Sequence, residues 1–455
     1  MKIAAAVLAL VVLAAFGVLA ILSGHTALAV VPPVTMVGAA TPVTVQVTNP
    51  HGVRSLAAFV EQNGVRTQVF AQSAPATHFL WKRHDAPRSV SFEVGKNKVP
   101  QLKDGKARVE VEAVSNDLLA SSDSISWDVT VVLEPPRVSA DSLQHYINQG
   151  GMELVLLTTS GSVSESGVRV GPYTFRSFPL PGGGAGQRFA MFAYPWDVDP
   201  GTVPVVFARN LAGSEVTAPF WNRIKPKKFR AREFPLSETM IATLVNSVDP
   251  DGTIAPGPDL LTRFLKINGD LRRKNNQQLA DLRLKTEEKI LWNGPFIHWG
   301  KEEANFADVR DYIYHGQKVD RQVHLGFDLS DVANGPVEAA NDGRVVYASD
   351  LGIFGNCVVL DHGYALQSLY GHMQRIDVKV GDLVKKGQKM GLAGETGLAG
   401  GIHVHFGMQI DGVQINPREW WDEHWIKDRI LSKLAPGMAQ NEPAEPAPVR
   451  HRRKR

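Results

Sequence analysis

The sequence predicts a mainly β, multidomain protein: an N-terminal membrane helix, two strand-rich sandwich-like modules, a helical connector, and a third strand-rich domain near the C-terminus. Three observations carry that expectation. The chain has 455 residues, too many for one ordinary domain and enough for about three at roughly 150 residues each. Apolar and polar residues alternate at period two through much of the N-terminal half. An uncharged apolar run, Ile3 to Leu22, opens the chain. Composition agrees with folded domains: 44% hydrophobic and 21% charged residues exclude a disordered chain. A net charge of only +3 gives no global field for a polyanion, so nucleic acid is not an expected partner.

The apolar run matches the about 20 residues that cross a bilayer and exceeds the about 7–15 of a cleavable signal. Residues 1–31 are therefore expected to be a signal-anchor, with cleavage at Ala27-Leu28-Ala29 as the alternative. Lys2 precedes the run and no basic residue follows before Arg54, which orients the bulk of the chain outward. Residues 32–136 read as an immunoglobulin-like β module. Val43-Thr44-Val45-Gln46-Val47, Val109-Glu110-Val111-Glu112-Ala113 and Val129-Thr130-Val131 alternate, and Asn49-Pro50, Asn63-Gly64 and Asp104-Gly105 supply turns. A second β module is expected over 137–222, from Glu153-Leu154-Val155-Leu156-Leu157 and Val203-Pro204-Val205-Val206-Phe207. Neither block gathers catalytic residue types, so both read as spacer or binding modules.

Residues 223–294 read as a basic linker followed by a helical connector. Arg223, Lys225, Lys227, Lys228, Arg230 and Arg232 form the linker's charge run. Leu260, Leu261, Phe264, Ile267 and Leu271 then recur at helical spacing, followed by Leu279, Leu282 and Ile290, and Gly294-Pro295 closes the segment. The domain at 295–425 is strand-rich, with many glycines. Residues 426–455 are expected to form a disordered basic tail, Pro/Ala/Glu-rich from Pro436 and ending His451-Arg452-Arg453-Lys454-Arg455.

One cysteine, Cys357, excludes an internal disulfide and a thiolate cluster, and its run Cys357-Val358-Val359-Leu360 reads as a buried strand. A metal site would have to use imidazole and carboxylate. In His324-Leu325-Gly326-Phe327-Asp328, strand alternation would put His324 and Asp328 on one face, with Gly326 leaving room between them. In His403-Val404-His405 two imidazoles again share a strand face; burying them without partners would be costly. His372 adds a third position. Nitrogen and oxygen donors suit zinc, and three protein ligands with one open place is the catalytic arrangement.

The order His324-x-Gly-x-Asp328, Tyr370-x-His372, Gly394-x-Thr396-Gly397 and His403-x-His405 resembles the lysostaphin-type (LytM-type) zinc metallopeptidases of cell walls. Gly335-Pro336-Val337-x-Ala339-Ala340-x-Asp342-Gly343-x-Val345 and Val380-Gly381-Asp382-x-Val384-x-x-Gly387-Gln388 extend the likeness over about residues 320–418. The resemblance implies a compact antiparallel β metallopeptidase domain with a groove across its sheet. It implies one Zn2+ per chain, held by His324, Asp328 and His405, with His372 and His403 as catalytic histidines. Ile402, Val404 and Gly407 depart from the family pattern, where proline, leucine and an acid are usual; all five functional positions are intact.

The activity so implied is endopeptidase hydrolysis of peptide cross-links in bacterial peptidoglycan, on the periplasmic or extracytoplasmic side of the membrane that holds the anchor. A regulatory protein partner is the remaining open place in that picture. The competing expectation is a non-catalytic wall-binding regulator that activates a wall amidase; such relatives typically lack zinc ligands, and the presence of all of them here argues against it, while a wall-binding scaffold is a third. His362 reads as structural, Trp420 and Trp421 as core, and His298 and His315 as loop histidines rather than caps on an open metal position.

Overall fold

In a computed structural model of the chain, residues 10–14, 17–18, 24–76, 85–330 and 335–434 are described. Most of the expected membrane segment, and residues 435–455 of the expected tail, lie outside them. No helix among the described residues is long and apolar enough to cross a membrane. The chain divides into two compact units, and each is mainly β.

The first unit comprises Met1–Arg137 with Ser160–Glu165 and Ala208–Val216. A three-stranded sheet orders Ala27–Val30, Thr41–Thr48 and Arg88–Val94. A five-stranded sheet orders Met36–Val37, Ser122–Val131, Gly105–Ser115, Val53–Gln62 and Val65–Ser73. Alternation explains the packing: Val43, Val45 and Val47 from one sheet share a core with Val109, Val111 and Ala113 from the other, while the intervening side chains face outward. The short segment around Ala212 joins this unit by accepting a hydrogen bond from Thr41 Oγ1 at 2.8 Å.

The second unit comprises Val138–Thr159, Ser166–Phe207 and Thr217–Arg455. Its first part is built on Met152–Ser160 paired antiparallel with Gln187–Ala193. The basic run is not a free linker. Asn222–Lys225 pairs in parallel with His145–Asn148, and Ala231–Leu236 pairs in parallel with Asp308–Tyr314. Two helical stretches follow. Ser237 caps Glu238–Val248 by accepting from the Met240 N–H, and Asp259 caps Leu260–Lys266 by accepting from Thr262. The second stretch continues through a π turn, Ile267–Leu271, into Arg272–Asp281. Ile241, Leu244, Val245, Phe264 and Ile267 make one buried cluster with Val346, Ile353, Phe354, Val359 and Leu369. The helices therefore pack flat on the C-terminal sheet.

That sheet has ten strands. Its main path runs Lys301–Ala304, Phe327–Ser330, Val404–Ile410, Leu366–Ile376, Asn356–Asp361, Gly343–Asp350 and Leu383–Val384, with every pairing antiparallel. Residues 426–434, expected to belong to the disordered tail, are folded instead. Glu423–Ile426 and Lys427–Leu431 are helical, and Ile426, Ile430 and Leu434, spaced by four, are buried in the core. Lys433 is buried beside Glu153, its Nζ 2.9 Å from Oε1.

Candidate metal centre

The ligand positions come from three adjacent strand ends. His324 closes Gln317–His324, which belongs to a small sheet with Asp308–Tyr314 and Ala231–Leu236. After Leu325 and Gly326 the chain enters the large sheet as Phe327–Ser330. His324 and Asp328 thus do not share one regular strand, as alternation had suggested; a change of sheet between them turns both inward. Asp328 is the register partner of His405, and Gly371 is the partner on the other side of His405. Gly326 keeps space for the His405 ring rather than for an ion. A Cβ there would lie 2.6 Å from Cε1 and Nε2 of that imidazole.

The three groups converge on one point. His324 Nε2 lies 2.8 Å from Asp328 Oδ1 and 3.0 Å from His405 Nδ1, and His405 Nδ1 lies 3.1 Å from the same carboxylate oxygen. Their donor atoms form a group of metal-binding compactness. Donors around a tetrahedral zinc at about 2.0–2.1 Å sit about 3.3 Å apart, so a widening of a few tenths of an ångström would admit the ion. The Nδ1–H of His324 is free to donate to the Asn305 carbonyl at 3.1 Å, which orients the ring and leaves Nε2 unprotonated for a metal. Two imidazoles and a carboxylate, without thiolate, form the donor set expected of a catalytic zinc site.

Electrostatics reinforce the arrangement. Burial alone would raise the Asp328 carboxyl, but His324, His403 and His405 overcome it and hold the group well below the ordinary range. Burial pushes His405 down to about 4. Burial, then the neighbouring His403 and His405, holds His372 well below the usual imidazole value. For His403 the loss of water acts downward, yet the bond to Asp328 prevails and its pKa is raised. Both histidines are anchored through Nδ1: His372 to the Thr396 carbonyl at 2.8 Å, and His403 to the Gly401 carbonyl at 2.8 Å. Their rings stand 4.8 Å apart, and His372 adopts φ +62°, a backbone region uncommon for a residue with a side chain and concentrated at functional sites.

All five sequence-predicted site residues line a single cavity of about 340 Å3. The same cavity is also lined by residues that the sequence did not mark as part of a site. Met240, Leu244 and Phe264 come from the helices, and Arg310 and Tyr312 from the strand paired to Ala231–Leu236. Arg310 Nη2 lies 2.9 Å from Asp328 Oδ2, so the two carboxylate oxygens have separate partners. No local motif marks Arg310; only the strand alternation Asp308, Arg310, Tyr312 hints at one functional face.

The other singled-out residues lie elsewhere. His298 stacks on Trp421 with ring centroids 4.3 Å apart, and exposed His315 sits beside Tyr314; neither lines the cavity. His362 is buried between the Asp342 carbonyl and Ser368 Oγ, both at 2.7 Å, in a structural network that reaches Tyr370. Trp420 and Cys357 are fully buried, and burial raises the Cys357 thiol well above its ordinary value. Trp421 packs on Phe327 and Phe406.

An antiparallel sheet thus gathers two histidines and a carboxylate that could hold a metal ion, with two more histidines alongside. Residues 322–417 match the model of Peptidase family M23, and this segment is an M23 domain. The peptidoglycan DD-endopeptidase ShyB of Vibrio cholerae is 40% identical over 83 residues, 18% of this chain and 20% of that protein. The peptidoglycan DD-endopeptidase ShyC of the same organism is 37% identical over 122 residues, 27% of this chain and 28% of that one. The chain thus spans between 20% and 28% of the length of these relatives. Among solved structures, a putative peptidase M23 from Pseudomonas aeruginosa covers 60% of this chain and 94% of its own, at 17% identity and a TM-score of 0.36.

Proposed function

We propose that the chain is a zinc-dependent endopeptidase that hydrolyses peptide cross-links of bacterial peptidoglycan at the extracytoplasmic face, tethered there by its N-terminal apolar segment. The observation that carries this reading is the convergence of His324, Asp328 and His405 within hydrogen-bond distance of one another, inside a cavity also lined by His372 and His403. The similarity of residues 322–417 to domains of peptidoglycan DD-endopeptidases supports the substrate class.

In this reading His324, Asp328 and His405 hold the ion. Zinc, when bound, supplies Lewis acidity toward a carbonyl oxygen and acidifies water near neutral pH. The protein's own groups handle the proton. His372 donates Nδ1–H to the Thr396 carbonyl and is kept neutral by burial, which leaves Nε2 as a proton acceptor. His403 donates Nδ1–H to the Gly401 carbonyl and lies 3.4 Å from Asp328, which raises its pKa and suits it to stabilise a developing oxyanion or protonate the leaving amine. Arg310 occupies the outer oxygen of Asp328 and fixes the carboxylate's orientation.

Metal analysis of the purified chain combined with digestion of isolated peptidoglycan tests the reading. One zinc per chain and release of cross-linked peptides, abolished by a chelator, are expected. Peptidoglycan left uncleaved by zinc-loaded protein would refute it and favour the regulator that activates an amidase, for which amidase stimulation is the direct readout.

A further inference from the structure

Three arginines, Arg232, Arg272 and Arg310, and three acids, Glu303, Asp308 and Asp328, line the cavity over the histidines. Glu303 is held by Lys301 and Ser330, Asp308 by Arg230, and Asp328 by Arg310 and the imidazoles. Arg272 and Arg232 also line the cavity, and among the described residues neither has a carboxylate within ion-pair distance. Arg232 is the register partner of Arg310 on the adjacent parallel strand and is exposed, while Arg310 is paired with Asp328.

Arg272 is the best placed of them. It follows the π turn Ile267–Leu271, a distortion frequent at functional sites, and is half-buried. Its Nε donates to the Asn268 carbonyl at 3.0 Å and its Nη2 to Asn268 Oδ1 at 2.6 Å. Buried Asn268 is itself fixed by donating Nδ2 to Asp320 Oδ2 at 2.7 Å. Two of the five N–H groups of the guanidinium are thus spent on neutral acceptors that lock its plane, and the others remain for a ligand. Asp320 and Asp328 act on Arg272 only from beyond ion-pair distance, and a planar, pre-oriented guanidinium suits a carboxylate.

We propose that Arg272, held by Asn268, anchors a carboxylate-binding subsite on the wall of the metal cavity, so that the peptide processed carries a free carboxylate near the bond that is cut. This deepens, and rests on, the peptidase reading above. The test uses the full chain and a cross-linked wall peptide in two forms, with its carboxylates free or converted to amides. Binding is measured by calorimetry and cleavage by product analysis, for the wild type, R272Q, R272K and the control R273Q, whose exposed side chain pairs with Asp270. The wild type and R273Q are expected to bind the acid form about tenfold or more tighter than the amide, the scale of a charge-assisted hydrogen bond. R272Q should bind both forms alike, with the loss in KM rather than kcat, and R272K, lacking the planar fork, should show a reduced preference even where R272Q melts early. A wild type indifferent to amidation, or an R272Q that still discriminates, would overturn the subsite. Acid-selective binding that depends on Arg272 without cleavage would uphold the subsite and reject the peptidase reading instead.

Discussion

Replacing Gly326 by alanine probes the centre with a single methyl group. The added Cβ would sit 2.6 Å from Cε1 and Nε2 of His405 and 2.8 Å from the Phe406 carbonyl oxygen. Gly326 is not among the positive-φ glycines, so the cost is steric and not a backbone preference. Ordinary Cβ contacts begin near 3.4 Å, which requires the imidazole to retreat by about 0.8 Å. Metal ligands tolerate displacements of only about 0.2 Å, so the ring should leave the coordination position. Overpacking of this kind costs about 1–3 kcal/mol in the metal-free protein. A loss of tenfold or more in zinc affinity should remove a further ~1.4 kcal/mol of metal-linked stabilisation per factor of ten. Competition against a chromogenic chelator measures the affinity, and denaturant melts with and without zinc separate the two contributions. Gly184→Ala, where the nearest atom lies 3.7 Å away, serves as the neutral control. A Gly326→Ala protein that binds zinc and melts like the wild type would show that the convergence at His405 is not the metal centre.

Other perturbations divide the roles further. His405→Ala should lose both zinc and turnover, whereas His372→Ala should keep zinc and lose most turnover; metal content and rate measured on the same preparation check the pair. Arg310→Ala should weaken zinc binding about tenfold by freeing the Asp328 carboxylate, read by chelator competition. Glu419 gives a pH prediction. Burial raises its carboxyl to about 7, above the about 4.3 of an unfolded glutamate, so the folded state retains the proton longer. Stability attached to this group is full below about pH 4 and declines as pH rises to about 7, by at most about 3–4 kcal/mol. Glu419→Gln should flatten that part of the stability–pH curve, and an unchanged curve would contradict the assignment.

The sequence made the centre legible because its chemistry is local. His324, Asp328, His372, His403 and His405 each announce a donor type, although a change of sheet and not strand alternation turns His324 and Asp328 inward together. What faces them was not legible in the same way. Arg310 meets Asp328 because Asp308–Tyr314 folds back on Gln317–His324 at His315-Gly316, and no residue pattern in that hairpin marks the guanidinium as part of the site. The helix Glu238–Val248 did carry a signal, with Ile241, Leu244, Val245 and Val248 at helical spacing behind the cap Ser237. Its place beside the cavity depends on the fit of those side chains against Ile353 and Phe354, a property of the assembled surface. The extra helical turns after Trp421 were obscured by the polar composition around them, although Ile426, Ile430 and Leu434 mark their inward stripe.

The pairing of Ala231–Leu236 with Asp308–Tyr314 bears on how this chain can be cut down for experiment. A fragment trimmed to the family-matched residues 322–417 would discard both strands and the helices between them. Val346, Ile353, Phe354, Val359 and Leu369 would then meet water as one greasy face, with the backbone of Gln317–His324 reduced to a frayed stump. Such a fragment should precipitate or dimerise, whereas one that starts ahead of Val138 retains the whole compact unit.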